Sequence, residues 1–317
     1  MYYNNNNRLI LAFYPNRTFT AKFKAEQFTV VGDNGYIVTI KGTTTNVTKV
    51  GNINWKSVVY KSGRLIAVGT GLSLTISEDH INWKTFTDGN YPKTTSYNSV
   101  INHPSGGVFV VGGGPEKHDI GCTWFYYGWN YNAAMFHEAF SNYNTCIWNK
   151  VVYFKRMVSV GDNGYIKVLN SIMATSGTLI KPTHENLYGV CYGNNTYIVV
   201  GNNGTVLLSE DANQWKNKQI GTANWRSVAY GNGKYVIVGS NGYFVFSEDG
   251  TNWSKQKRIG VNDLYDIIFE NGRFITIGAY GQYSTSSDGE NWAGIEQIKD
   301  NNGNAISSNF NGICVIP

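Results

Sequence analysis

A short apolar run ending in glycine returns seven times along the 317 residues: QFTVVG, RLIAVG, GVFVVG, RMVSVG, TYIVVG, KYVIVG and RFITIG. The closing glycines are Gly32, Gly69, Gly112, Gly161, Gly201, Gly239 and Gly278, so the intervals between them are 37, 43, 49, 40, 38 and 39 residues. A period near 40 residues is that of four-stranded blades stacked around an axis, whereas a helical solenoid needs a 3.6-residue apolar period, which is absent.

The copy NWRSVAYGNGKYVIVGSNGYFVFSEDGTNWSKQKRIG (224–260) shows how each unit is built. SVAY is a strand and GNGK a hairpin turn, with Asn-Gly supplying the positive φ angles of a type I′ turn. YVIV is apolar at every position, as a strand buried on both faces requires, and YFVF is nearly so. SKQKRI is polar and suits a wet outer rim, where lysines discourage edge-to-edge pairing. The copies at 186–215, 262–292 and 53–83 align with almost no gaps, and the other three are fainter. The expectation is an all-β chain forming one β-propeller domain over 1–317, with seven four-stranded blades and a partial eighth as the alternative. RLILAF (8–13) and NGICVI (311–316) each read as a lone strand, and their pairing is expected to close the ring.

Composition agrees with that class and narrows the function. Aromatic residues make up 15%, charged residues only 15%, and the formal charge is +5. The densest basic run is SKQKR (254–258), too sparse for a nucleic-acid footprint. No stretch of about 20 apolar residues is present to cross a membrane. MYYNNNNRLILAFYPN lacks the basic start and long apolar segment of a cleaved leader. Cys122, Cys146, Cys191 and Cys314 are too few for a disulfide framework in a chain this long.

Four copies carry S-x-D-x-x-x-W between the third and fourth strands: Ser77, Asp79 and Trp83; Ser209, Asp211 and Trp215; Ser247, Asp249 and Trp253; Ser286, Asp288 and Trp292. The aspartates can accept hydrogen bonds from their own turns, Gly250 and Gly289 can take positive φ, and the indoles can bury between neighbouring blades. The motif resembles the Asp-box (BNR-type) turn of sialidase-like propellers, where it is structural and lies opposite the usual active site. The wider repeat is similar to propellers of photosystem II assembly factors and of predicted tail or baseplate proteins of phages from low-GC Gram-positive hosts. The Asn-, Tyr- and Lys-rich composition suits the phage setting better. Trp55, Trp148 and Trp225 share one position ahead of the first strand and read as core packing at the blade entry.

The repeat breaks once. At about 114–146 in the third blade, PEKHDIGCTWFYYGWNYNAAMFHEAFSNYNTC replaces a plain third strand and Asp-box turn. It leaves from the end carrying GDNG, GNNG and GSNG, the usual ligand face of propellers. Trp124, Phe125, Tyr126, Tyr127, Trp129 and Tyr131 are the candidate ligand-binding residues, able to stack on sugar rings or on a partner protein. The alternative is that they form the insertion's own small core. NAAMFHEAFSNY (132–143) is compatible with a short helix capped by Asn132. His118, Cys122, His137 and Cys146 match no established zinc spacing, and a Cys122–Cys146 disulfide is the other option for that pair. No metal or cofactor is expected.

Sialidase chemistry would need an arginine triad and an Arg-Ile-Pro segment. Arg17 in YPNRTF has the wrong neighbours, and Arg64, Arg156 and Arg273 recur at one strand-start position. A glycosidase would need paired carboxylates, for which Glu116, Asp119 and Glu138 are the candidates. The expected function is a non-enzymatic interaction module, a phage or phage-like tail or baseplate component in the virion. Its expected partner is a host-surface glycan or another virion protein, with no nucleic acid and no membrane insertion. The alternatives are a glycan-cleaving hydrolase and an architectural assembly factor.

Overall fold

The computed structural model describes residues 27–87, 95–102, 107–114, 146–170 and 177–317, together with the backbone of two strands at 124–127 and 135–138. Among these residues the strands form seven four-stranded antiparallel sheets. Helix is confined to four three-residue 3-10 turns. No helix of the described residues is long and apolar enough to cross a membrane.

Six sheets are each built from four consecutive strands. They are numbered here blade 2 (55–87), blade 3 (96–138), blade 4 (148–180), blade 5 (187–219), blade 6 (225–258) and blade 7 (264–297). Blade 1 is composite: Gln27–Gly32, Tyr36–Lys41 and Thr44–Lys49 take their inner neighbour from Phe310–Val315. The C-terminal strand thus finds a partner early in the chain. It pairs with Gln27–Gly32, through Thr29–Cys314 and Val30–Ile313, and residues 8–13 lie outside the described residues. The reason is strand counting. Among the described residues blade 1 has three strands ahead of blade 2, and its inner edge takes one more.

The inner strands touch one another in cyclic order, with Phe310–Val315 between the inner strands of blades 7 and 2. Seven hydrophobic clusters occupy the seven junctions between neighbouring blades. The blade-entry tryptophans belong to them: Trp55, Trp148 and Trp225 are buried. The Trp55 and Trp225 indole N–H groups donate to the carbonyls of Val50 (3.2 Å) and Ile220 (2.9 Å). The hairpin turns behave as their sequence requires, with φ of 48° at Asn232 and 77° at Gly233.

Each S-x-D-x-x-x-W stretch folds into a turn between the third and fourth strands. Asp249 Oδ1 accepts the backbone N–H groups of Thr251 (2.8 Å) and Asn252 (2.7 Å) and the Ser247 hydroxyl (3.1 Å). Asp79, Asp211 and Asp288 repeat the pattern. Trp83, Trp215, Trp253 and Trp292 each pack between their own blade and the preceding one. The indoles of Trp215 and Trp253 donate to the carbonyls of Ala212 and Gly250, while those of Trp83 and Trp292 have no partner.

The backbone donors, Asn252 first, hold the Asp249 carboxyl well below the usual carboxylate range, and the same cause acts at Asp79, Asp211 and Asp288. A depressed folded-state pKa contributes stability that is present above the unfolded value near 3.9 and is lost as pH falls through the folded one. The melting temperature is therefore expected to drop from about pH 4 downward. The gap between wild type and Asp249→Asn should narrow over that range in a thermal-melt series. A gap that stays constant from pH 6 to pH 2 would show that the carboxylate charge plays no part.

Blade 3 departs from expectation in two respects. Its third strand is present, Trp124–Tyr127, paired to Phe109 and Val110 of the second strand. Met135–Glu138 is not helical. It is the fourth strand, with Trp124 opposite Glu138 and Tyr127 opposite Met135. The open edge of 124–127 needs a hydrogen-bonding partner, and that tertiary demand overrides the local Ala-Met-Phe pattern.

Candidate functional site

The end of the molecule carrying the turns between second and third strands is called upper here, and the end carrying the S-x-D turns lower. At the upper end all seven inner strands slip register by one residue at the same point. The extra residue of this β-bulge is Asn311, Lys56, Asn98, Asn149, Tyr188, Arg226 or Tyr265 in blades 1 to 7. Bulges re-aim side chains, and here they set a ring of seven around the upper mouth of the central channel.

Three of the seven are latches. The Asn311, Asn98 and Asn149 side-chain amides donate to the carbonyls of Trp55 (3.0 Å), Trp148 (3.0 Å) and Leu187 (2.9 Å), each in the next blade. Asn311 and Asn149 also donate to Asp33 (2.9 Å) and Asp162 (2.8 Å), the acids of the two GDNG turns. Burial raises the Asp162 pKa, and Asn149 opposes that. Asn34, Asn163, Asn203 and Asn241 occupy the left-handed position of these upper turns. Their backbone N–H groups donate to Asn54, Asn186, Asn224 and Asp263, the residues just ahead of the next inner strand. The abundance of asparagine thus has a structural use.

Blades 5 to 7 lack the bulge asparagine, as does blade 2 with Lys56. The upper turns of blades 5 to 7 keep the N–H contact to the residue ahead of the next inner strand, Tyr280 donating to Asn309 at 3.3 Å. Tyr188, Arg226 and Tyr265 replace the latch residue, and Tyr280 replaces asparagine at the left-handed turn position, with φ of 57°. A left-handed β-carbon costs about 1–2 kcal/mol, and such outliers gather at functional positions. Tyr280 is 58% exposed, and Val261, in the link to blade 7, is 73% exposed. The Arg226 guanidinium lies 4.5 Å from the Tyr188 ring centroid. Burial pushes the Tyr265 hydroxyl pKa up, the Asp263 carboxylate adds to this, and Arg226 opposes it. Tyr188, Arg226, Tyr265 and Tyr280 form one arc on the rim.

Just below the bulges the channel is throttled. The next residue of each inner strand is Gly312, Ser57, Ser99, Lys150, Gly189, Ser227 or Asp266, in blades 1 to 7. Ser57 and Ser99 hydroxyls accept the inner-edge N–H groups of Val100 (3.2 Å) and Val151 (3.4 Å) in the following blade. Lys150 reaches across from blade 4 to Asp266 of blade 7, 3.0 Å away, and Ser227 donates to the same carboxylate oxygen at 2.7 Å. Below this ion pair a cavity of about 520 Å³ opens towards the lower end, past Tyr60, Ile101, Phe269 and Val315.

The predicted ligand residues are only partly placed. Trp124, Phe125, Tyr126 and Tyr127 occupy the third strand of blade 3, and their side chains lie outside the described residues, as do Trp129 and Tyr131 entirely. The candidate acids Glu116 and Asp119 and the side chain of Glu138 lie outside as well. Cys146 is buried in the blade 3–blade 4 core, with its sulfur 3.4 Å from the Asp162 carbonyl oxygen. His118, Cys122 and the His137 side chain are outside the described residues. Among the described residues no group of three His, Cys, Asp or Glu side chains is placed to hold a metal.

The arc escaped the sequence reading, yet its signal is in the repeat. Aligning NFNG, NWKS, SYNS, IWNK, NLYG, NWRS and DLYD puts asparagine in the third column of blades 1, 3 and 4, lysine in blade 2, and Tyr, Arg and Tyr in blades 5 to 7.

No family model matches the chain. No curated protein matches it either. Among solved structures, one of YCF48 bound to D1 peptide superimposes with a TM-score of 0.60 at 14% identity, over 84% of this chain and 94% of that one. At that identity the likeness extends to the fold alone: the chain is an all-β propeller, a scaffold that commonly mediates interactions.

Proposed function

We propose that the protein is a non-enzymatic interaction module that binds a host-surface glycan at the upper mouth of its channel, as a component of a phage or phage-like tail or baseplate. The observation that carries the binding site is the run of aromatic and cationic bulge residues in three consecutive blades, Tyr188, Arg226 and Tyr265, with Tyr280 close to them. Tyr188, Arg226 and Tyr265 stand where blades 1, 3 and 4 carry a latching asparagine, and Tyr280 takes a left-handed backbone. Tyrosine offers an apolar face with a polar tip, which suits a sugar ring. The rim around it is Asn, Asp and Lys, with Val261 the one exposed large aliphatic side chain at this end among the described residues. That is too little apolar surface for the core of a stable protein–protein interface. The tail setting rests on the resemblance of the S-x-D-x-x-x-W repeat to phage Asp-box propellers. The aromatic segment 124–131 is a second proposed contact region.

The acids of the mouth support a non-enzymatic reading because each has structural work. Asp33 accepts from Asn309 and Asn311, Asp162 from Asn149, Asp263 from the Asn241 backbone, and Asp266 from Lys150 and Ser227. A second reading is favoured by one finding: the structural neighbour holds a peptide, so the mouth would hold a segment of another virion protein.

A glycan array tests the choice. Wild type should retain a defined set of saccharides, and Tyr280→Asn should lose most of that signal. The same variant should be more stable by about 0.5–1 kcal/mol, since asparagine tolerates the left-handed backbone. Wild type that retains no saccharide, but captures a virion-protein peptide at this rim, would replace the glycan reading with the peptide one. Tail genes flanking the coding sequence would support the setting, and a metabolic operon would remove it.

A further inference from the structure

Arg226 is the one guanidinium in the ring of bulge residues, and its surroundings leave it unanswered. It sits half-buried between blades 5 and 7, stacked on Tyr188. Its Nε is shielded from solvent and has no hydrogen-bond partner, and Arg226 makes no ion pair among the described residues. A guanidinium carries five donors in a rigid fork, and taking even one of them out of water without an acceptor is costly. Blades 1, 3 and 4 show that the position does not need a cation. Asn98, Asn149 and Asn311 fill it with amides bonded to the next blade. The nearby acids are committed elsewhere: Asp263 to the Asn241 N–H, and Asp33 to Asn309, Asn311 and, at 3.9 Å, Lys56.

We infer that Arg226, flanked by Tyr188 and Tyr265, is an oxyanion-binding centre, and that the ligand taken at the upper mouth is an acidic saccharide. This inference rests on the glycan reading above and narrows it. The planar fork matches a carboxylate or a phosphate through two parallel N–H donors, while the tyrosine faces take the sugar rings beside it. A carboxylate from a uronic acid and a phosphate ester present the same acceptor pair, so both sources belong to the test.

The test uses matched pairs on one array, confirmed by titration calorimetry. An oligogalacturonate is set against its methyl ester, and maltose 1-phosphate against maltose, within a broad panel of acidic saccharides and their neutral parents. Wild type should prefer the acidic member of at least one class of pair by about tenfold or more. That preference should weaken with added salt, as an ionic contact does. Arg226→Asn should erase the preference while its melting temperature stays at or above wild type, because it restores the latch of blades 1, 3 and 4. Arg226→Lys should recover only part of it, since a point charge cannot form the bidentate contact. A carboxylate-only, phosphate-only or mixed preference identifies the source and supports the proposal. Wild type that binds acidic and neutral members equally overturns the anion centre and leaves the glycan reading standing. Wild type that binds no saccharide of either kind overturns both.

Discussion

Gly239→Ala is expected to destabilise the protein by about 3 kcal/mol, although it adds a single methyl group to a residue with ordinary extended backbone. The glycine that ends each second strand is where the inner strand passes closest. A methyl at Gly239 would press into the Asn224 carbonyl oxygen. The equivalent methyls at Gly32, Gly69, Gly112, Gly161, Gly201 and Gly278 would meet the carbonyls of Asn309, Asn54, Ser96, Ile147, Asn186 and Asp263. The loosest of the seven approaches, at Gly69, is 2.5 Å. The carbonyl cannot simply retreat, because it accepts the N–H of the residue after the glycine: Ser240 donates to Asn224 at 3.0 Å, and five other blades repeat the bond. The methyl therefore forces either a lost hydrogen bond or a shift of the bulge. Gly294→Ala is the control, since a methyl there meets nothing within 4 Å. Chemical denaturation should separate the two variants clearly. Equal midpoints would sink the close-approach account and, with it, the reason given for the seven-fold glycine.

The second large effect is expected across the channel. Lys150→Met should cost about 2–3 kcal/mol, because it leaves the Asp266 carboxylate, 6% exposed, with the Ser227 hydroxyl but no cation. The figure sits below that of a fully buried pair, since the Lys150 side chain keeps 27% of its exposure. Asp266→Leu alone should also destabilise, by stranding the ammonium. The double variant Lys150→Met/Asp266→Leu should recover much of the loss, so that the two single costs sum to more than the double. Additive costs would mean that the pair contributes nothing as a pair, and that the throat is held by its serines and glycines.

Much of the fold was legible because its determinants are local. Asn-Gly at a hairpin, an apolar run buried on both faces, and S-x-D in a tight turn act over three to seven residues and look alike in every copy. The helix expected over 132–143 failed for the opposite reason. Met135–Glu138 is decided by the bare edge of Trp124–Tyr127, which no local pattern reveals. The same holds for RLILAF and Phe310–Val315: both read as single strands, and only the three-strand count of blade 1 shows which one Gln27–Gly32 needs. The rim was legible in principle but by a different rule. Tyr188, Arg226, Tyr265 and Tyr280 stand out where their columns stop repeating. Their significance depends on knowing that asparagine there reaches into the next blade.

Making the inner strand of the first blade from the far end of the chain sets a schedule for synthesis. About 280 residues separate Gly32 from Phe310. At roughly 5–20 residues per second, the ribosome needs about 15–55 s to deliver the partner of Gln27–Gly32. Throughout that interval the nascent chain presents a bare, apolar strand edge, while the later blades stack against one another with one face uncovered. The seam is the last interface to form and the first place where two unfinished chains can pair with each other.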